Sequence, residues 1–300
     1  WLDAAFVPAV LNKVDAAGLA RTDTWAPGID MAPPVAIASA SPYVPELDRL
    51  LSRAANGDDL DETEVSRLFA ARGGEVDAVC QAADALRQKV NGDDVSYVVV
   101  RNINYTNICY FKCQFCAFSK GKLSENLRGR PYDLSLDEIS RRVVEAWARG
   151  ATEVCMQGGI HPEYTGQTYL DILRTVKDAA PDMHIHAFSP LEVYQGAETL
   201  GLSLTDFLGQ LKAAGLGSLP GTAAEVLDEE VRRVLCPDKL TVDQWMEVME
   251  AAHGVGFRTT ATIMFGHVDR PIHWARHLLR LRELQAKTGG FTELVPLPFV

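Results

Sequence analysis

Six short apolar runs, rich in β-branched residues, alternate with stretches of helical periodicity from Ser96 onward. The runs are Ser96–Val100, Thr152–Met156, His184–Phe188, Gly217–Leu219, Thr259–Phe265 and Phe291–Leu297. Between them apolar residues recur at helical spacing, as in Ile139, Val143, Val144 and Trp147, or Trp245, Val248 and Met249. Short uninterrupted apolar runs read as buried strands, and strand–helix alternation builds a parallel sheet with helices outside it. Right-handed crossovers then produce either a barrel or an open sheet, and alternation alone does not choose between them. In a barrel of this kind functional groups collect where the strands end. Five of the runs are followed there by polar or glycine-rich motifs: Asn102 to Cys116, Gln157-Gly158-Gly159-Ile160-His161, Ser189 to Glu192, Pro220-Gly221-Thr222, and Gly266 to Asp269.

The chain ahead of this alternation divides in two. Residues 1–41 contain WAPGIDMAPPVAIASASP and read as a linker, with Leu2 to Val14 as the end of something else. Residues 42–93 read as helical, with Asp61 or Thr63 capping a helix through Val65, Leu68 and Phe69, and a second helix over Val76–Val90. Cys80 on that helix is expected to be a small buried hydrophobe. The third part, 94–300, holds the strands.

Composition narrows the function. At 300 residues the chain suits one large α/β domain with an appendage. No apolar stretch is long enough to span a membrane. The start, Trp1-Leu2-Asp3, lacks the basic flank of a secretory signal, and a chain beginning with Trp1 is expected to be a fragment or a processed form. A formal net charge of −11 argues against a nucleic-acid partner, which needs a basic face. The local basic group Lys112, Lys120, Lys122, Arg128 and Arg130 reads mainly as a solvated loop, a minority of it serving anionic groups of substrate. Six cysteines, three of them within eight residues, point to a metal site in a reducing compartment, the cytoplasm by default, rather than to a disulfide scaffold.

Those three cysteines, Cys109-x3-Cys113-x2-Cys116, offer three thiolates from one loop just after the first strand. Three donors leave one iron of a [4Fe–4S] cubane without a protein ligand, and that position can take the amino and carboxylate groups of S-adenosyl-L-methionine. Electron transfer from the cluster then cleaves a C–S bond of the cofactor to give a carbon radical. Two other readings remain: structural zinc, which normally takes four ligands and finds no second pair here, and a ferredoxin-like carrier, which needs a fourth cysteine. Phe115 is placed to pack on the adenine or simply to shield the cluster. Gly158 and Gly159 either let backbone approach the cofactor closely or form an ordinary turn. Glu225 is a candidate for the ribose hydroxyls, against a plain role as an acid near a helix N-terminus. His161, His267 and Asp269 are candidates for orienting substrate or moving a proton. Ser189 and Glu192 are weaker ones, and strand alternation turns His186 inward. Cys155 and Cys236 are assigned to packing.

The run RNINYTNICYFKCQFCAFSKG (101–121) closely resembles the cluster loop of a group of radical S-adenosylmethionine (radical SAM) enzymes that includes the deazaflavin (FO) synthases and the aminofutalosine-type menaquinone enzymes. NINYTN before the motif and CAFSKG after it look most like the tyrosine-using half of FO synthase. Further matches are QGGIHP (157–162), HIHAFSPLEV (184–193), LPGTAAEVL (219–227), CPDKLTVDQW (236–245) and IMFGHVD (263–269). Asp269 stands where relatives tend to carry Glu. WLDAAFVPAVLNKVDAAGLAR followed by WAPG resembles the tail of the partner lyase half, as in two-module actinobacterial enzymes.

The resemblance implies a partial TIM-like (β/α)6 barrel of radical SAM type, interrupted after the sixth strand, where relatives continue. It implies transfer of the 4-hydroxybenzyl group of L-tyrosine to 5-amino-6-(D-ribitylamino)uracil, on the way to the FO chromophore of coenzyme F420. The implied partners are the lyase module on the same full-length chain and an external electron donor. The alternatives are a radical SAM enzyme of menaquinone (futalosine) synthesis and a non-catalytic iron–sulfur or zinc protein. Tyrosine as substrate rests on the resemblance alone.

Overall fold

The computed structural model describes residues 44–111, 113, 115, 116, 119 and 130–299. The expected linker over 1–41 and the basic residues Lys112, Lys120, Lys122 and Arg128 lie outside them. Among the described residues, no helix is long and apolar enough to cross a membrane.

Three helices come first: α1 (Pro45–Asn56), α2 (Glu62–Phe69) and α3 (Gly74–Asn91). Asp61, not Thr63, caps α2, because its carboxylate accepts from the Glu64 amide while Glu64 reaches back to the Asp61 amide. Helix α3 buries no residue, so Cys80 is exposed rather than packed in a core.

The alternation follows as β1 (Val100–Asn104), α4 (Leu136–Ala148), β2 (Glu153–Gln157), α5 (Gly166–Ala179), β3 (His184–Ala187), α6 (Pro190–Leu200), α7 (Leu204–Ala213), β4 (Ser218–Leu219), α8 (Glu229–Leu235), α9 (Val242–Val255), β5 (Arg258–Phe265), α10 (Pro271–Thr288) and β6 (Phe291–Pro298). All six strands pair in parallel in chain order, which is the partial TIM-like barrel expected. Strand β1 is displaced four residues from its apolar run, since Val100 to Asn104 pair with Glu153 to Gln157. Val95, Tyr97 and Val98 are left exposed.

The strands are not apolar on both faces. Ile103, Val154, Met156, Ile185 and Leu219 are fully buried against Ile139, Val143, Leu173, Val176, Phe207 and Leu211 of helices α4, α5 and α7. The alternate positions Asn102, Cys155, His186 and Ser218 form a register row of polar or half-buried residues on the opposite face. Period-two alternation thus gives the sheet one greasy face and one polar face. Each fully buried aliphatic side chain of the first face contributes about 1.5–3 kcal/mol before chain entropy is counted. The polar face carries the ends of the strands where chemistry collects.

Candidate active site

Segments at the ends of four strands converge on a cavity of about 200 Å³ lined by Cys109, Cys113, Cys116, Gln157, Gly158, Gly159, Ser189, Glu192, Thr222, Ala223 and Lys239. The cysteine loop leaves β1 pinned by its own polar residues. Thr106 Oγ1 donates to the Tyr132 carbonyl at 2.9 Å, and Asn107 both accepts from the Tyr132 amide at 2.8 Å and donates to the Arg130 carbonyl at 3.2 Å. The polar half of NINYTN therefore anchors the loop instead of extending a buried strand.

The turn after β2 lies directly against that loop. The Gly159 amide donates to Thr106 O at 2.9 Å, and Tyr110 N donates to Ile160 O at 3.1 Å. A Cβ on Gly159 would sit 2.3 Å from Ile108 O, and one on Gly158 would sit 2.3 Å from the Tyr105 ring. The glycines are needed first for this close packing, and through it they border the cavity.

Glu192 closes the arrangement from α6. Its fully buried carboxylate accepts from the Gly158 amide at 3.1 Å, from Ser189 N and Oγ at 2.6 Å each, and from the Tyr105 hydroxyl. Burial raises its pKa against the opposing pull of those donors. Sequence reasoning ranked Glu192 low and did not single out Tyr105; the available signal was a hydroxyl in NINYTN destined for apolar surroundings.

The loop after β4 contributes strained backbone. Ala223 and Glu225 adopt φ of 62° and 47°, and Phe188 after β3 adopts 64°. Left-handed non-glycine residues store energy that surrounding contacts must hold. Here the buried Arg232 guanidinium donates to the carbonyls of Ala223, Ala224 and Leu240, and Met264 N donates to Glu225 O at 2.8 Å. Glu225 Oε1 in turn pairs with Lys239 Nζ at 2.8 Å, a nearly buried ion pair. Lys239 also lies 5.4 Å from the centre of the Phe115 ring. Lys239 was not foreseen, because nothing in the spacing of CPDKL places it beside the cysteines.

Burial pushes the Cys113 thiol up to about 12, with Lys239 pulling the other way. A thiolate there needs a positive partner, which an iron–sulfur cluster or a metal supplies. Three cysteines line the cavity, all from the loop after β1. A structural zinc normally takes four ligands. A set of three soft thiol donors fits a cluster, and the buried Thr222 Oγ1, without a hydrogen-bond partner, leaves a polar atom for a ligand of the cavity.

The remaining candidates stand outside this cavity wall. His161 stacks on Tyr164 with ring centres 4.8 Å apart and accepts from the Glu163 amide at 3.1 Å. His267 is exposed and meets Phe299 edge-on at 4.7 Å. Asp269 accepts from Gly266 N at 2.9 Å, His267 N at 2.8 Å and Trp274 Nε1, so it closes the turn between β5 and α10. His186 lies on the polar face with Nδ1 2.7 Å from Ser218 Oγ, and burial lowers its pKa to about 4.

Residues 103–281 match the model of the radical SAM superfamily. The chain is 52% identical over 241 residues to the FO synthase of Streptomyces coelicolor, covering 80% of this chain and 27% of that protein. It is 45% identical over 262 residues to the 5-amino-6-(D-ribitylamino)uracil–L-tyrosine 4-hydroxyphenyl transferase of Methanopyrus kandleri, covering 87% of this chain and 69% of that one. The chain thus spans under a third of the FO synthases it matches. The crystal structure of HydG, a maturase of the [FeFe]-hydrogenase, shares the fold with a TM-score of 0.64 at 16% identity, over 85% of this chain and 54% of that one. A cysteine-lined cavity at strand ends of a six-stranded parallel sheet, and these matches, place the chain in the radical SAM superfamily, within the family of the FO synthases and the 4-hydroxyphenyl transferases.

Proposed function

We propose that this chain joins the 4-hydroxybenzyl group of L-tyrosine to 5-amino-6-(D-ribitylamino)uracil, using a [4Fe–4S] cluster and S-adenosyl-L-methionine. The observation that carries the reading is the convergence of Cys109, Cys113 and Cys116 with the Gly158-Gly159 turn on one cavity, in a chain so similar to a named 4-hydroxyphenyl transferase. When bound, the cluster and cofactor supply a carbon radical able to abstract hydrogen from substrate.

The chain's own residues bind and orient. The three cysteines hold iron, and Phe115 packs on the cofactor side of the loop. Gly158 and Gly159 keep the β2 turn close enough to border the cofactor. Glu225 faces the ribose hydroxyls from the loop after β4. His161 and His267, on the loops after β2 and β5, meet substrate, with Asp269 shaping the second loop. The lyase module is the proposed partner on a longer chain, and reducing equivalents come from an external donor. A cytoplasmic, reducing setting belongs to the same proposal, since thiols must stay reduced to hold iron.

The test is anaerobic reconstitution with iron and sulfide, then dithionite, S-adenosylmethionine and L-tyrosine, with 5′-deoxyadenosine as readout and Cys113→Ala as control. Formation by the native chain, followed by coupling when the ribityl-uracil is added, is expected. Zinc in place of iron, or a full cluster with no cofactor cleavage, overturns the proposal.

A further inference from the structure

The Lys239–Glu225 pair is an expensive feature with no evident stabilising purpose. The two side chains are only 12% and 11% exposed, and their atoms meet at 2.8 Å. Desolvating both charges costs more than a surface pair does, and such pairs are poor stabilisers relative to apolar packing. Yet the surrounding chain is built to present them. Glu225 sits at φ 47° with its carbonyl held by Met264 N. Lys239 follows α8 on a tight turn, its amide bonded to Cys236 O at 3.1 Å, while Arg232 clamps the carbonyl of the next residue, Leu240.

Lys239 borders the same cavity as the three cysteines. Its charge and that of Glu225 act on the Cys113 sulfur with opposite sign. Phe115 covers the ammonium at 5.4 Å from its ring centre, keeping water from screening it. Cys236, Asp238 and Arg232 are the other titratable or charged groups nearby, and Arg232 is committed to carbonyls.

We propose that Lys239 is a positioning residue that sets the reduction potential of a cluster held by Cys113, with Glu225 as the counterweight that limits its effect. The inference rests on the cluster assignment made above. Charge and hydrogen bonds at cluster sulfurs are among the levers that set such potentials. A cation beside a thiolate ligand favours the state carrying one more electron, so Lys239 makes uptake of the single electron from the donor easier. Glu225 opposes it.

The decisive experiment is an EPR-monitored redox titration of the anaerobically reconstituted chain with dithionite, without S-adenosylmethionine. Lys239→Met is expected to cut the reduced-to-oxidised ratio at fixed potential by about tenfold, equivalent to a midpoint lower by ~59 mV for a one-electron couple. Glu225→Gln is expected to move the midpoint the opposite way, and Lys239→Arg to restore it towards the native value. Should Lys239→Met fail to hold iron, the other two variants decide alone. Midpoints that do not move, or that move in the same direction in both charge variants, overturn the inference. Weakened binding of S-adenosylmethionine with an unmoved midpoint also overturns it and makes Lys239 a cofactor ligand. A native chain that holds no four-iron cluster would instead sink the cluster assignment itself.

Discussion

The carboxylate of Glu192, at the first turn of α6, accepts the amide of Gly158 at 3.1 Å and so ties the end of β2 to the helix that follows β3. The same carboxylate takes the hydroxyl of Tyr105, whose ring fills the space a Gly158 side chain would need. One buried acid therefore sets the spacing of three strand ends around the cavity.

Glu192→Ala should be among the most damaging single changes in the chain. It strands the Tyr105 hydroxyl, the Gly158 amide and the Ser189 amide in a dry environment. A loss of about 3 kcal/mol or more is expected, since each orphaned buried polar group costs about 1–3 kcal/mol. Urea unfolding would show a lowered midpoint with little change in slope. A shift under about 0.5 kcal/mol, the size of ordinary surface changes, would refute the linchpin role.

At Gly159 the obstacle is backbone, which cannot rotate away. Gly159→Ala places a methyl 2.3 Å from Ile108 O and 2.9 Å from Cys109 Cβ. The cysteine loop must retreat, and iron content after reconstitution should fall several-fold while the helical circular dichroism persists. Exposed Cys80 provides the contrast. Cys80→Ser should leave iron content unchanged.

His277 makes stability sensitive to acid. It is fully buried, its Nδ1 accepts from Leu227 N at 2.9 Å, and burial lowers its pKa to about 3. An unfolded histidine takes up a proton near its usual value of about 6.5, so between roughly that pH and about 3 only the unfolded chain is protonated. Stability is therefore complete above this window and declines as pH falls through it. His186, lowered to about 4, acts in the same direction. His277→Gln should flatten the decline measured by urea midpoints from pH 7 to 4, although it lowers stability at neutral pH. An unchanged slope would contradict the assignment.

Asp269 separates a structural from a chemical part. Its carboxylate caps the turn after β5 through Gly266 N, His267 N and Trp274 Nε1. Those donors hold its pKa low despite partial burial. Asp269→Ala should cost about 1–2 kcal/mol, in the range of a lost cap. If Asp269 serves only the turn, Asp269→Asn should recover much of that stability and leave turnover per folded molecule near native. A collapse of turnover at native stability would instead put the carboxylate against substrate.

The alternation of apolar runs and helical periodicity was enough to specify a parallel α/β sheet, and the Cys109, Cys113 and Cys116 spacing was enough to specify a soft-metal loop after the first strand. Both are local properties, because periodicity and ligand spacing are written in consecutive residues. Tertiary structure alone decided where β1 begins, since strand pairing with β2, rather than the apolarity of Ser96–Val100, determines which residues form the ladder. It alone showed that Gly158 and Gly159 are required by Tyr105 and Ile108, which lie on another segment. It alone paired Lys239 with Glu225 and brought Lys239 to the cavity that Cys113 lines, across intervening helix and loop. Charges and close contacts act through space, over a few ångströms, and their partners are chosen by packing that no single stretch of sequence contains.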